Sequence, residues 1–230
     1  IDFNNKTTYL PRGLGRSYGD VCLNNEGTLI LTDNYKSIIN FDHEYGTIEC
    51  EPGISLNEIL KIITPLGWFL PVVPGTSFVT VGGAIANDIH GKNHHLQGTF
   101  GGHILSLKLL RSDGKVYDCS LSSNSSLFAA TIAGMGMTGL ILSAKLKLMP
   151  VSSVSMNVSH TSFGSIDEFI ELSLLAQENG EYSVAWLDLL NINDGNCRGV
   201  FIEGTHECGE LDSTGTSNMN GSFALPHRST

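Results

Sequence analysis

The sequence has 230 residues, with 13 Lys and Arg against 23 Asp and Glu, giving a formal net charge of −10. Its 41% hydrophobic and 16% charged content is enough to enclose a core and excludes disorder throughout. The acidic balance excludes nucleic acid as the main partner, because phosphate contacts need clustered Lys and Arg.

No apolar run approaches the ~18 residues that cross a bilayer, so no transmembrane segment is expected. The opening IDFNNKTTYLPRG lacks the charged start and apolar stretch of a signal peptide, which points to a cytoplasmic protein. Cys22, Cys50, Cys119, Cys197 and Cys208 form no CxxC pair and are odd in number. They read as reduced thiols and not as a disulfide framework.

In chain order, Thr7–Leu10 reads as a short strand running into Pro11 and the glycine-rich loop from Arg12 to Asp20. Leu29–Thr32 is a second short strand. Ser37–Asp42 and Thr47–Glu51 alternate apolar and polar residues around a turn at His43–Gly46, the pattern of a hairpin. Ser55 and Glu58 have capping-box spacing, and Leu56, Ile59, Leu60, Ile62 and Ile63 recur as one face of a helix that stops near Pro65-Leu66-Gly67.

Gly82–Ala86 suits a short helix of small residues lying close to a neighbour or ligand. Ser112-Asp113-Gly114 joins strands Ile104–Arg111 and Lys115–Cys119. Ser125 is expected to cap a helix through Phe128–Ile132 that stops at Ala133-Gly134-Met135-Gly136. Leu140–Leu148 returns as a strand, and Pro150 marks a boundary. Beyond it, Val154–His160, Ser165–Glu178, Tyr182–Leu189 and Arg198–Glu203 read as strand, helix, strand, strand. From Gly209 the sequence turns polar and reads as a mobile loop or truncated tail. The fold class is α+β, with hairpins dominating.

Three segments carry chemistry. In the first, Gly13 and Gly15 allow several N–H groups to converge on an anion, while Arg12, Arg16 and Ser17 add charge and a donor. The Gly-x-Gly-x-x-x-Gly spacing, with no amphipathic helix after it, argues against a Rossmann fingerprint. The second segment, Gly75 with Thr80-Val81-Gly82-Gly83, ends in paired glycines at a helix start, where orphan N–H groups favour an anion. Two such sites suit one extended ligand with two phosphates. The third is Asn87-Asp88-Ile89-His90-Gly91-Lys92-Asn93-His94-His95, a cationic, hydrogen-bonding wall suited to negative charge. Gly91 and the missing acidic ligand argue against a metal site there.

RGLGRSYGD, VVPGTSFVTVGGAIANDIHGKNHH, the LLRSDGK hairpin and FAATIAGMGMTGLI together resemble the FAD-binding domain of the vanillyl-alcohol oxidase / p-cresol methylhydroxylase superfamily. Within it, the likeness is to the branch of decaprenylphosphoryl-ribose 2′-oxidases, with IHGKNHH the most specific stretch. The resemblance implies a p-cresol methylhydroxylase-type FAD-binding domain over residues 1–150, then the start of an α+β substrate domain over 151–208 and the tail 209–230. It implies that Pro11, Arg12, Gly13, Leu14, Gly15, Arg16, Ser17, Tyr18, Gly19 and Asp20 wrap the FAD pyrophosphate. Gly75, Thr80, Val81, Gly82 and Gly83 would line its other side. Asn87, Asp88 and His90 would meet the flavin, and Ile141 would close over the adenine end. Tyr18, His90 and Lys92 would face the substrate. Tyr18 stands where covalent members carry histidine, which implies noncovalent FAD.

The implied reaction is oxidation of a secondary sugar alcohol to a ketone, with hydride passing to flavin N5. The implied substrate is a polyprenyl-phosphate sugar such as a decaprenylphosphoryl ribose, on the way to arabinose for the cell wall. A sugar-lactone or alditol oxidase, or an FAD-binding fragment without activity of its own, is the alternative. The implied partners are a short-chain reductase, forming an epimerase pair, and a quinone or oxygen as electron acceptor. A lipid-linked substrate would draw the enzyme to the inner face of the membrane. The family's principal lysine lies in a portion beyond residue 230, so a fragment of a longer chain is expected.

Overall fold

In a computed structural model, which describes residues 7–190 and 197–208, the chain opens with β1 (Tyr9–Arg12) and β2 (Thr28–Leu31). They pair in parallel, Tyr9 opposite Thr28 through Arg12 opposite Leu31. Pro11 is tolerated because this two-stranded sheet is all edge. Asn24 staples the long excursion between the strands: its Nδ2 donates to the carbonyls of Thr8 and Thr28, and its Oδ1 accepts the Thr8 hydroxyl.

The expected hairpin forms as β3 (Ile38–Asp42) and β4 (Thr47–Cys50). Asp42 Oδ1 holds the turn by accepting the N–H groups of Glu44 and Tyr45. Helix α1 (Leu56–Ile63) starts at the predicted capping box, in which Ser55 Oγ accepts from Glu58 N and Glu58 Oε2 accepts from Ser55 N at 3.0 Å. Leu56, Ile59 and Ile63 form its buried face. A 3₁₀ turn, Thr64–Leu66, then closes on Gly67 at φ 80°.

After β5 (Trp68–Phe69) come α2 (Val81–Ala86), the short α3 (His94–Gln97) and a 3₁₀ turn, Phe100–His103. The second hairpin is β6 (Ile104–Leu110) with β7 (Val116–Ser120). Helix α4 (Ser125–Thr131) follows, then β8 (Leu140–Lys147) and β9 (Met149–Pro150). The expected cap at Ser125 is corrected: Asn124 precedes the helix in a left-handed conformation, and its Nδ2 donates to Asp118 O. Asparagine tolerates that geometry, so it serves the turn and leaves Ser125 inside the first helical turn. The polar stretch around His94 folds as α3, whose single turn gives no periodic signal in the sequence.

The main sheet runs in the order β3-β4-β8-β6-β7, antiparallel at every step. Its core joins Ile48, Leu107, Leu109 and Leu146 of the strands to Ile59 and Ile63 of α1 and Val81 and Ile85 of α2, with Leu70 and Val72 from the connecting segment.

The second sheet is β10 (Met156–Phe163), β12 (Gly199–His206) and β11 (Tyr182–Leu187), antiparallel in that order. On it lies α5 (Ile166–Asn179), which contributes Phe169, Leu172 and Ala176 to a small core with Phe163, Ala185 and Phe201. His206 joins the second sheet to β5, which pairs separately with β9. Its ring meets Phe69 and Tyr182 edge-on, with Nδ1 3.0 Å from Ser153 O. The tail from Gly209 lies outside the described residues.

Burial and the neighbouring Glu49 and Glu51 push the Cys50 thiol up to about 12, so this cysteine packs as a small apolar side chain.

The Ser55 N–H and then its hydroxyl hold the Glu58 carboxyl below the ordinary carboxylate value, with Lys36 adding less. A carboxyl lowered in the folded state stabilises above its unfolded value and loses that contribution as pH falls through the folded one. Ser55→Ala is therefore expected to cost about 1 kcal/mol at neutral pH. Urea denaturation across pH should show the gap to wild type shrinking below about pH 4; a gap independent of pH would contradict the assignment.

Candidate functional site

Where β1 ends, the chain swings out through Gly15 at φ 63° and Gly19 at φ 57°. Among the described residues, no hydrogen bond uses the backbone N–H of any residue from Gly13 to Asp20. A row of unspent donors is costly unless solvent or a ligand takes them. Arg12 lies beneath the loop. Its Nε is buried without a partner, and a Cβ on Gly15 would stand 2.7 Å from its Nη2. The ion pairs among the described residues involve neither Arg12 nor Arg16. The loop thus combines free donors with two uncompensated guanidinium groups, an arrangement built for an anion.

The second glycine segment plays a different part. Val81 N donates to Ile54 O, Gly82 N to Pro52 O, Gly83 N to Thr80 Oγ1 and Ala84 N to Thr80 O. The expectation of orphan N–H groups at the start of α2 is therefore corrected, because the chain itself consumes them. What α2 offers is a close surface. A Cβ on Gly13 would overlap Thr80 Oγ1 and stand 3.0 Å from its Cγ2, so the two glycine-rich segments touch, with Thr80 between them.

A third wall comes from Ala133–Gly139. Ala133 N donates to Ile85 O and Met135 N to Ala86 O, tying this turn to the end of α2. A Cβ on Gly136 would lie 3.6 Å from both Leu10 Cδ1 and Pro11 Cδ.

The three walls enclose a cavity of about 360 Å³, in the size range of small-molecule sites. Of the residues expected there, Pro11, Arg12, Gly13, Leu14, Gly15, Arg16, Ser17, Tyr18, Thr80, Gly82, Gly83, Asn87 and Ile141 line it. Gly19, Asp20, Gly75, Val81, Asp88, His90 and Lys92 lie outside its lining. The unforeseen lining includes Pro52, Met135, Gly136 and Gly139. The glycine run at 134–139 belongs to FAATIAGMGMTGLI, one of the segments that carry the family resemblance, but its local pattern reads only as a helix stop and names none of these residues as lining.

The polar stretch forms a strap beside the cavity. Asn87 Nδ2 donates to Gly83 O at 2.8 Å. Asp88, at φ 42°, turns its carboxylate away to accept Gly101 N at 2.7 Å. His90 is exposed and its ring stands 6.1 Å from that of His94. The side chain of Lys92 is exposed, while its carbonyl accepts Ser183 N from β11 at 2.9 Å. His95 Nε2 lies 3.0 Å from Gly180 O. Residues 92–95 thus link the strap to the second sheet. Among the described residues, no group of three or more His, Cys, Asp or Glu is placed to hold a metal ion.

Residues 3–120 match the model of a family described as an FAD binding domain. The chain is 40% identical over 184 residues to a decaprenylphosphoryl-beta-D-ribose oxidase of Mycolicibacterium smegmatis, covering 79% of the chain and 40% of the relative. It is 37% identical over 153 residues to an uncharacterized protein of Streptomyces coelicolor, covering 66% and 41%. It is 30% identical over 155 residues to an L-gulonolactone oxidase of Mus musculus, covering 66% and 33%. The chain spans about two fifths of the length of the first two relatives.

The contact between Gly13 and Thr80 leaves no room for a methyl group, and Thr80 cannot turn away while its hydroxyl caps Gly83. Gly13→Ala is expected to destabilise by about 1–3 kcal/mol, read as a lowered urea midpoint with an unchanged slope. A midpoint equal to wild type would mean that the loop does not rest on Thr80.

Proposed function

The chain belongs to the FAD-binding domain family of the vanillyl-alcohol oxidase / p-cresol methylhydroxylase type, and from that premise we propose that it forms the cofactor site of an FAD-dependent oxidoreductase acting on a secondary alcohol of a sugar. The observation that carries this reading is the run of unspent N–H groups from Gly13 to Asp20 above a buried, unpartnered Arg12 Nε. These residues fit a pyrophosphate: they supply a run of unspent donors and positive charge, and no partner among the described residues competes for them.

In this reading Gly13, Gly15, Arg16 and Ser17 hold the pyrophosphate, and Arg12 compensates its charge from below. Thr80, Gly82 and Gly83 form the opposite surface, Asn87 faces the flavin, and Ile141 covers the adenine end. When bound, FAD supplies the two-electron acceptor that lets an alcohol lose a hydride and a proton to become a ketone. Lys92, an exposed cation on the strap, binds a substrate phosphate or orients the reacting hydroxyl. His90 and Tyr18 shape the approach beside it. Residues 1–150 make up the cofactor unit, and 151–208 contribute to the substrate side.

The relative from Mycolicibacterium smegmatis, a decaprenylphosphoryl-beta-D-ribose oxidase, supports a polyprenylphosphoryl ribose as the substrate; in this reading the 2′-hydroxyl is the group oxidised. A short-chain reductase would then complete an epimerisation, with a quinone or oxygen taking the electrons at the inner face of the membrane. No helix among the described residues is long and apolar enough to cross a membrane. The lactone-oxidase relative supports a sugar lactone as the second reading.

The test is a visible spectrum of the purified protein, repeated on the supernatant after acid precipitation. The expected result is flavin absorbance released into the supernatant, because Tyr18 offers no histidine for a covalent link. Colour held in the pellet would contradict noncovalent binding, and a protein that takes up no added FAD would overturn the cofactor reading. Gly15→Val should abolish FAD retention, since a side chain at that positive φ strikes the Arg12 guanidinium and enters the cradle.

Lys92→Ala should leave FAD bound and lower turnover of a phosphorylated sugar in the active enzyme by roughly 10²-fold or more. Unchanged turnover would remove Lys92 from the substrate site. A preference for lactones over phosphorylated sugars would favour the second reading.

A further inference from the structure

The strained backbone on the third wall of the cavity carries a further inference, which rests on the FAD reading above. Two non-glycine residues there occupy the left-handed region, Ala133 at φ 59° and Met135 at φ 50°. In that conformation the Cβ of an L-residue crowds the following carbonyl, so glycine would sit at either position with less strain. Both residues are pinned in the same way, each donating its N–H to one of the last carbonyls of α2, Ile85 O at 3.0 Å and Ala86 O at 2.8 Å. The turn therefore needs the geometry at both positions but needs a side chain at neither.

The two positions differ in what they face. Met135 lines the cavity and Ala133 does not. Met135 also stands between Gly136, packed near Leu10 and Pro11, and the α2 end that leads into Asn87. About half of its surface is exposed, so the protein alone does not bury it. A long, polarizable thioether is suited to the edge or face of an aromatic ring.

We propose that Met135 is a cofactor-contact residue, held over the cavity by its strained backbone so that its side chain packs against a ring system of bound FAD. Ala133 shares the strain and the hydrogen bonding without the contact, and it serves as the internal control.

The experiment titrates FAD into apoprotein, following flavin fluorescence, and measures apoprotein melting for Met135→Gly, Met135→Ala, Met135→Leu and Ala133→Gly. Met135→Gly is expected to hold or raise the apoprotein melting temperature while raising the FAD dissociation constant roughly 3- to 10-fold. Met135→Ala should weaken FAD binding similarly without the gain in melting temperature, and Met135→Leu should keep most of the affinity. Ala133→Gly should hold or raise melting and leave affinity within about twofold of wild type.

Wild-type affinity in both Met135→Gly and Met135→Ala would overturn the proposal. So would a loss of affinity that tracks a loss of apoprotein stability, or an equal loss in Ala133→Gly, since either would make the effect one of backbone. If wild type itself takes up no FAD, the cofactor reading fails, and the melting data alone would then show whether the strain is relieved.

Discussion

Thr80 is the joint on which the site depends. It is 2% exposed, and its hydroxyl, its carbonyl and its place in the backbone have separate tasks. Its hydroxyl accepts Gly83 N, its carbonyl accepts Ala84 N, and its backbone bridges to Ser55 at the cap of α1. Its side chain is also the surface on which Gly13 rests. The same residue therefore starts α2, couples it to α1 and sets how close the glycine loop approaches. Because a β-branched side chain with a committed hydroxyl has one usable rotamer, the loop position is fixed by a rigid contact and not by its own flexible backbone.

The consequence is a division of hydrogen-bonding labour. Both glycine-rich segments look alike in the sequence, but the first N–H groups of α2 are consumed by Ile54, Pro52 and Thr80, whereas those from Gly13 to Asp20 meet no partner among the described residues. An anion is drawn to donors that the fold has left unspent, so in the proposed reading the loop is the phosphate cradle and α2 is its floor. On a chain of net charge −10, the guanidinium groups of Arg12 and Arg16, in no ion pair among the described residues, give the cavity a local sign opposite to that of the whole protein.

The polar strap follows a related logic. Asp88, His95 and the carbonyl of Lys92 are committed to Gly101, Gly180 and Ser183, which orient the strap and tie it to the second sheet. The side chains of His90 and Lys92 remain exposed. A segment held in its backbone and free at its exposed polar side chains would, in the proposed reading, suit the presentation of Lys92 to a substrate entering beside the cofactor.

The sequence by itself determined the features encoded in local periodicity and turn chemistry. The two hairpins, the capping box at Ser55 and Glu58, the apolar face of α1 and the alternation of strands with α5 beyond Pro150 are all short-range patterns, set by side-chain spacing along the chain. The motifs RGLGRSYGD and IHGKNHH likewise carried the FAD-binding family, as the match over residues 3–120 bears out. Tertiary structure decided which donors stay free, because that depends on whether Ile54 and Pro52 arrive at α2 from elsewhere in the chain. It also decided that Asn124 and not Ser125 precedes α4, and that the 134–139 glycines form a wall of the cavity. Hydrogen-bond accounting and backbone handedness are settled by partners distant in sequence, and no local pattern of residue types records them.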